Sequence, residues 1–254
     1  MQAIKVGCAG WSIPRQSLAL FGEGESMLAR YATRFPVVEV NSSFYRPHKP
    51  ATYAKWASSV PRDFRFSVKL PKMISHELAL RQCGPVLDRF LGEAEALGGK
   101  LGGFLLQLSP SHVLDARVAS TFFRLFRRRS DAPLVCEPRH ASWFSSAAEA
   151  LLQRYDVGRV GADPALVEEA GRPDARSPWP YWRWHGSPRM YYSAYTEDSL
   201  QQLAAAVVSR KWPARPWVIF DNTAHGHAAA NAARLQDLLR ATSSRPTPRG
   251  RARA

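Results

Sequence analysis

Cysteine, acidic residues and long apolar runs are scarce in this chain, and each shortage removes a class of protein. The three cysteines, Cys8, Cys83 and Cys136, are an odd number at wide spacing with no Cys-x-x-Cys pair. That argues against both a disulfide framework and a zinc ribbon. Cys8 and Cys136 fall in strand-like runs, where a free thiol behaves as a small buried hydrophobe. No apolar run approaches the roughly 18 residues that span a bilayer. The opening Met1-Gln2-Ala3-Ile4-Lys5-Val6 lacks the charged-then-apolar pattern of a secretory leader. A cytoplasmic protein with no membrane partner is the expectation. Two signatures are missing as well: no Gly-x-Gly-x-x-Gly follows the first strand-like run, and no His-Glu-x-x-His occurs.

The acidic deficit is large: 35 Lys and Arg face 21 Asp and Glu, for a net charge of +14. Arg245, Arg249, Arg251 and Arg253 lie in a Pro-rich stretch without acidic residues, and the remaining 31 against 21 still leave +10. Such an excess favours anionic partners, whether nucleic acid, phosphorylated metabolites or acidic surfaces, without choosing among them.

What is present is a globular composition, 45% hydrophobic and 22% charged, able to bury a sizeable core. Eight short β-type runs alternate with helical or loop segments: Ile4 to Ala9, Val37 to Asn41, Phe64 to Leu70, Gly103 to Leu108, Leu134 to Arg139, Gly158 to Asp163, Tyr181 to His185 and Trp217 to Asp221. Helix starts lie between them. Ser26 caps Met27 to Phe35, Pro50 opens Ala51 to Ser58, Gly84-Pro85 opens Val86 to Leu97, and Asp115 caps Ala116 to Arg128. Ser142 and Thr196 precede Trp143 to Tyr155 and Glu197 to Lys211, and His227 to Ala241 follows the eighth strand. Only the sixth crossover is weak, a short helix from Ala165 to Ala170 before Pro173, Pro178 and Pro180. Eight β/α units predict an α/β fold, a single-domain (β/α)8 TIM barrel over residues 1–241, with a basic, Pro/Arg-rich disordered tail over 242–254.

In such a barrel, apolar residues face the helices, and polar residues facing the axis near the strands' carboxyl ends build the site. Side chains alternate along a strand, so Val38 and Val40 leave Glu39 and Asn41 on the axis. Phe66, Val68 and Leu70 leave Ser67 and Lys69; Phe104, Leu106 and Leu108 leave Gln107; Leu134 and Cys136 leave Glu137 and Arg139. Asp163 ends the sixth strand in step with Gly161. Trp182 and Trp184 leave Arg183 and His185, and Val218 and Phe220 leave Asp221. Seven strands thus send a polar side chain to one end of one axis.

Glu39, Glu137, Asp163 and His185 are the candidates for acid–base chemistry, the carboxylates because burial or a like charge can raise their pKa. Lys69, Arg139 and Arg183 are suited to clamping an anion, with Asn41, Gln107, Asp221 and Asn222 as polar contacts and Trp11 and Tyr45 as aromatic ones. The competing expectation is a self-neutralising layer in which Glu39 pairs with Lys69 and Asp163 with Arg183. No cofactor is expected. Glu39, Glu137, Asp163, His185 and Asp221 offer oxygen and nitrogen donors to a divalent metal, but no spaced ligand signature exists and the nearby Lys and Arg oppose a cation. Asp221-Asn222-Thr223-Ala224-His225-Gly226-His227 runs into the last helix, the usual phosphate-binding place of this fold.

Several stretches resemble one known family: Gly7-Cys8-Ala9-Gly10-Trp11, Val38 to Arg46, Phe64 to Lys69, Leu105 to Leu108, Glu137-Pro138-Arg139-His140, Trp182 to Gly186, and Asn222 to Asn231. In this order they are similar to the YecE-like family, also called domain of unknown function 72, over about residues 4 to 240. The resemblance implies a TIM barrel with shared polar residues at the positions above, and implies no reaction. Cys8-Ala9 stands where a small polar pair is common, Pro138 replaces an apolar residue, and Asp221-Asn222-Thr223 replaces paired Asn residues.

Three functional expectations follow. The first is an enzyme using strand-end carboxylates for acid–base or hydrolytic chemistry on a small anionic, phosphorylated or sugar-like substrate. The second is a nucleic-acid-binding or processing protein, drawing on the +10 body, the cluster Arg124, Arg127, Arg128 and Arg129, and Trp11, Tyr45 and Trp143 as stacking groups. The third is a non-catalytic ligand binder or scaffold.

Overall fold

The computed structural model describes residues 4–243. Among them, nine parallel strands form one sheet: β1 (Lys5–Ala9), β2 (Val37–Val40), β3 (Arg65–Lys69), β4 (Leu101–Gln107), β5 (Leu134–Glu137), β6 (Val157–Arg159), β7 (Gly161–Asp163), β8 (Tyr181–Trp184) and β9 (Trp217–Phe220). Their order is β6-β5-β4-β3-β2-β1-β9-β8-β7. Only Val160 separates β6 from β7, so the two are halves of the expected sixth strand. The first half pairs with β5 and the second with β8. The sheet is therefore a nearly closed barrel, the single-domain α/β architecture that the eight β/α units predict.

The helices are α1 (Met27–Ala32), α2 (Pro50–Ser58), α3 (Gly84–Ala94), α4 (Ala116–Arg127), α5 (Ser146–Arg154), α6 (Glu197–Val208) and α7 (His227–Ser243). Three expected caps close orphan N–H groups. The Ser26 hydroxyl accepts from Ala29 N–H, Asp115 from Arg117 and Val118, and Thr196 from Ser199. Ser142 is a correction. It sits in a 3-10 turn, Ala141–Phe144, where its hydroxyl accepts from Leu114 N–H, and Ser145 caps α5 instead. The sixth crossover holds only a 3-10 turn, Glu168–Gly171, rather than the helix expected over Ala165 to Ala170. α7 runs two residues past the expected boundary, and the rest of the basic tail lies outside the described residues. No helix among the described residues is long and apolar enough to cross a membrane.

Residues paired across parallel strands point to the same side, which divides the barrel into two cores. Val6, Cys8, Val38, Val40, Phe66, Val68, Phe104, Leu106, Leu134, Cys136, Trp182, Val218 and Phe220 face the helices. Each buried aromatic or large aliphatic side chain there stabilises by about 1.5–3 kcal/mol. Inside the barrel, Val37, Leu105, Val135, Val160, Trp179, Tyr181, Trp217 and Ile219 form a separate apolar plug. Trp179 meets Trp217 edge-on at 5.0 Å between ring centroids. These rings fit because β4 carries Gly102 and Gly103 beside them: a Cβ on Gly103 would lie 2.5 Å from the Trp179 ring, and one on Gly102 2.6 Å from Trp217. The plug fills the barrel beneath the strand ends, so the polar side chains above it rest on an apolar floor.

Candidate functional site

Arg183 organises the strand-end layer. On β8 its register neighbours are Ala162 of β7 and Ile219 of β9, and the small Ala162 leaves room for a long side chain inside the ring. The fully buried guanidinium reaches carboxylates from three sides of the barrel. It grips Glu39 with a fork, Nη2 to Oε1 at 2.7 Å and Nε to Oε2 at 2.9 Å. Nη1 donates to Glu137 Oε2 at 2.7 Å, and Nη2 to Asp221 Oδ2 at 2.9 Å. Tyr181, one pleat below, donates its hydroxyl to Glu39 Oε2 at 2.9 Å. Burial would lower the Arg183 pKa, but Glu39, Glu137 and Asp221 together hold it well above the ordinary value.

Glu137 is the most heavily engaged acceptor. Its Oε1 receives Gln107 Nε2 at 3.0 Å and Arg139 Nη2 at 2.6 Å, and lies 3.0 Å from His185 Nε2. Burial pushes this carboxyl up, and Arg139, Arg183 and His185 outweigh it, holding Glu137 well below the usual carboxylate range. Asp221 is likewise lowered against the effect of burial, by Arg183, His185 and Lys69. The enclosed His185 ring spans both carboxylates, with Nδ1 3.1 Å from Asp221 Oδ2 and Nε2 2.9 Å from Arg139 Nη2. With Nδ1 donating to Asp221, the bare Nε2 accepts from Arg139.

Lys69 stands apart from this network. It ends β3 on the axis side and is only 4% exposed, yet its ammonium forms no hydrogen bond or salt bridge among the described residues. Nζ lies over the Phe44 ring, 4.0 Å from the centroid. Burial, then the positive charge of Arg183, brings its pKa down to about 8, against an opposing pull from Glu39, Asp221 and Glu137.

Two expected pairings are thus replaced. Glu39 pairs with Arg183 rather than Lys69, because a guanidinium crossing the barrel offers two parallel donors where an ammonium offers a point charge. Asp163 does not meet Arg183 and does not face the axis. Gly161 and Asp163 are in register with the outward-facing Trp182 and Trp184, and Asp163 accepts from the Tyr195 hydroxyl at 2.6 Å on the helix side. Val160 and Ala162 take the inward positions.

The remaining expected residues divide. Asn41 is half-buried and its enclosed Oδ1 has no hydrogen-bond partner among the described residues. Gln107 and Arg139 join the cluster through Glu137. Asn222 is buried in the loop after β9, where its amide donates to Ser193 O at 3.0 Å and Asn231 Oδ1 at 2.8 Å, tying that loop to α7. Tyr45 is exposed at the rim, edge-on to Phe44. Trp11 packs edge-on against Trp56 at 5.0 Å between ring centroids. Tyr181 and Tyr191 were not expected. Tyr191 lies edge-on to His185 at 5.6 Å, with its backbone in the left-handed region at φ 69°. Nothing in the period-2 pattern marks a loop residue of this kind. Among the described residues, no group of three or more His, Cys, Asp or Glu is arranged to hold a metal.

The basic cluster lies elsewhere. Arg127 donates to the carbonyls of Tyr155, Ala132 and Asp156, and Arg129 pairs with Asp88. Ala132 lies two residues before β5, so this end of α4 lies where the strands begin, opposite the Arg183 layer. Trp143 is buried and donates its indole N–H to His112 O at 2.9 Å.

A family model described as protein of unknown function DUF72 matches residues 5–252. The chain belongs to that family. Among its curated relatives, the UPF0759 protein YecE of Escherichia coli K12 is 30% identical over 179 residues, 68% of this chain and 64% of that protein. The UPF0759 protein YunF of Bacillus subtilis is 26% identical over 148 residues, 56% of this chain and 52% of that protein. The chain thus spans under two thirds of the length of these relatives. A DUF72 family protein of Enterococcus faecalis V583 has a similar crystal structure, with a TM-score of 0.78 at 24% identity, covering 94% of this chain and 96% of that one. One from Thermotoga maritima MSB8 gives 0.78 at 22% identity, covering 93% and 99%. At these identities the likeness shows the shared barrel.

Proposed function

We propose that the chain is an enzyme that takes a small anionic substrate, phosphorylated or sugar-like, into the mouth of the barrel and works on it by acid–base chemistry. The observation that carries this reading is Lys69, a cation held among buried groups with no carboxylate at ion-pair distance. Every other cation of the layer has one: Arg183 has three, and Arg139 has Glu137. Burying a charge without a partner is costly, and an anionic ligand supplies the missing partner. In this reading Lys69 and Arg139 meet the substrate, with Asn41 and Gln107 offering polar contacts. Lys69, with its pKa brought down to about 8, is the group suited to giving and taking a proton at the substrate. Glu39, saturated by Arg183 and Tyr181, is a positioning residue. Glu137, with Asp221 and His185 beyond it, holds Arg139 in place.

Thermal unfolding with inorganic phosphate as the probe tests the reading. Phosphate is expected to raise the melting temperature of the native chain, and the rise is expected to vanish in Lys69→Met and Arg139→Gln but to persist in Asp163→Asn. Equal responses in all four proteins, or none in the native chain, contradict the assignment. Where a ligand that survives purification is identified by mass spectrometry and turned over, Lys69→Met is expected to slow turnover by about 10²–10⁴-fold.

A further inference from the structure

We infer that the Lys69 amine is a nucleophile that forms an imine with an aldehyde or ketone group of the small anionic substrate, an inference that rests on the ligand site proposed above. Imine formation needs a primary amine that can shed its proton, that faces the reacting space, and that no carboxylate holds as an ammonium ion. Lys69 combines these conditions. It ends β3 facing the axis, has no salt bridge among the described residues, and lies against the Phe44 ring. Burial and the positive charge of Arg183 disfavour its protonated form, outweighing the pull of Glu39, Asp221 and Glu137. Lys72 and Lys100 lack this combination: Lys72 pairs with Glu77 at the surface, and Lys100 donates to the carbonyls of Val60 and Pro61.

The step balances without an oxidant or reductant. The nitrogen lone pair bonds to the carbonyl carbon as the C=O π pair moves onto oxygen. That oxygen takes one proton from the nitrogen and a second from solvent. The C–O bond then breaks, water leaves, and the nitrogen lone pair closes the C=N bond, leaving an iminium that keeps the second nitrogen proton. An iminium at this position acts as an electron sink for the adjacent carbon, the chemistry required to make or break a bond or to shift a proton next to a carbonyl.

Borohydride trapping with glyceraldehyde 3-phosphate as the probe tests the step, since hydride converts an iminium to a stable secondary amine. The expected result is a single reduced adduct, mapped by peptide mass spectrometry to Lys69, suppressed by inorganic phosphate, and absent in Lys69→Arg and Lys69→Met that retain native circular dichroism. Uncharged glyceraldehyde is expected to label Lys69 at least ten-fold less. No adduct at Lys69, or labelling spread over the lysines in proportion to their exposure, overturns the imine. If phosphate still raises the melting temperature in an Arg139-dependent way while Lys69 stays unlabelled, the imine falls and the anion site stands. If Lys69 is labelled and phosphate does not compete, the imine stands and the anion assignment falls.

Discussion

Arg183→Met is expected to lower the unfolding free energy at pH 7 by about 3–5 kcal/mol, the cost of removing one side of a buried ion pair. Native domains hold only about 5–15 kcal/mol in total, so the variant is expected to lie at the edge of folding. The guanidinium supplies four hydrogen bonds to Glu39, Glu137 and Asp221, and those carboxylates lie over an apolar plug that cannot solvate them. Lys69 is no substitute, because it forms no ion pair with them. Arg183→Lys keeps the charge and loses the fork, and is expected to fall between the two. The acid side fixes the sign. Glu137 and Asp221 are held low in the folded chain. Their contribution is fully present above their unfolded pKa values, about 4, and is lost as pH falls through the folded ones. The gap between native and Arg183→Met proteins should therefore narrow on acidification below about pH 4. Urea unfolding across that range is the measurement, and a loss under about 1 kcal/mol at pH 7 would show that the layer does not depend on this residue.

Lys69→Met has the opposite expected sign. The amine titrates at about 8 in the folded chain against 10.5 for an ordinary lysine, so between those values the unfolded chain binds more protons. Stability from this group therefore rises as pH climbs from about 8 to about 10.5, and below that window the buried charge is a net cost. Replacing it with the similarly sized, apolar Met removes that cost and also removes the contact with Phe44, worth about 0.5–2 kcal/mol. The balance is expected to raise the unfolding free energy at pH 7 by on the order of 1–2 kcal/mol while abolishing the phosphate response. A residue that costs stability and carries ligand binding is the signature of a functional position. If Lys69→Met destabilises the chain, Lys69 belongs to the scaffold.

The axial layer was legible in the sequence wherever large apolar residues claimed the outward phase without ambiguity. Val38 with Val40, Phe66 with Val68, Leu134 with Cys136 and Trp182 with Trp184 leave one phase for Glu39, Lys69, Glu137 and Arg183. The sixth strand offered no such marker. Val157, Val160 and Ala162 put apolar residues on both phases, and Asp163 took the wrong one. Pairing was harder to read than placement. Adjacency suggested Glu39 with Lys69, whereas the length of Arg183 let it cross the barrel and take three carboxylates at once, leaving Lys69 free. Tyr191 depends on a left-handed backbone in a loop, which no periodicity reports.

If the barrel mouth is a ligand site in which Lys69, among the described residues, is the cation without an ion pair, the titration of that one amine shows it most directly. In protein labelled at lysine, the Lys69 ¹³Cε resonance, assigned by its loss in Lys69→Met, is expected to titrate near 8 and to move upward when inorganic phosphate is added. A titration at the ordinary lysine value, unmoved by phosphate, would contradict the account.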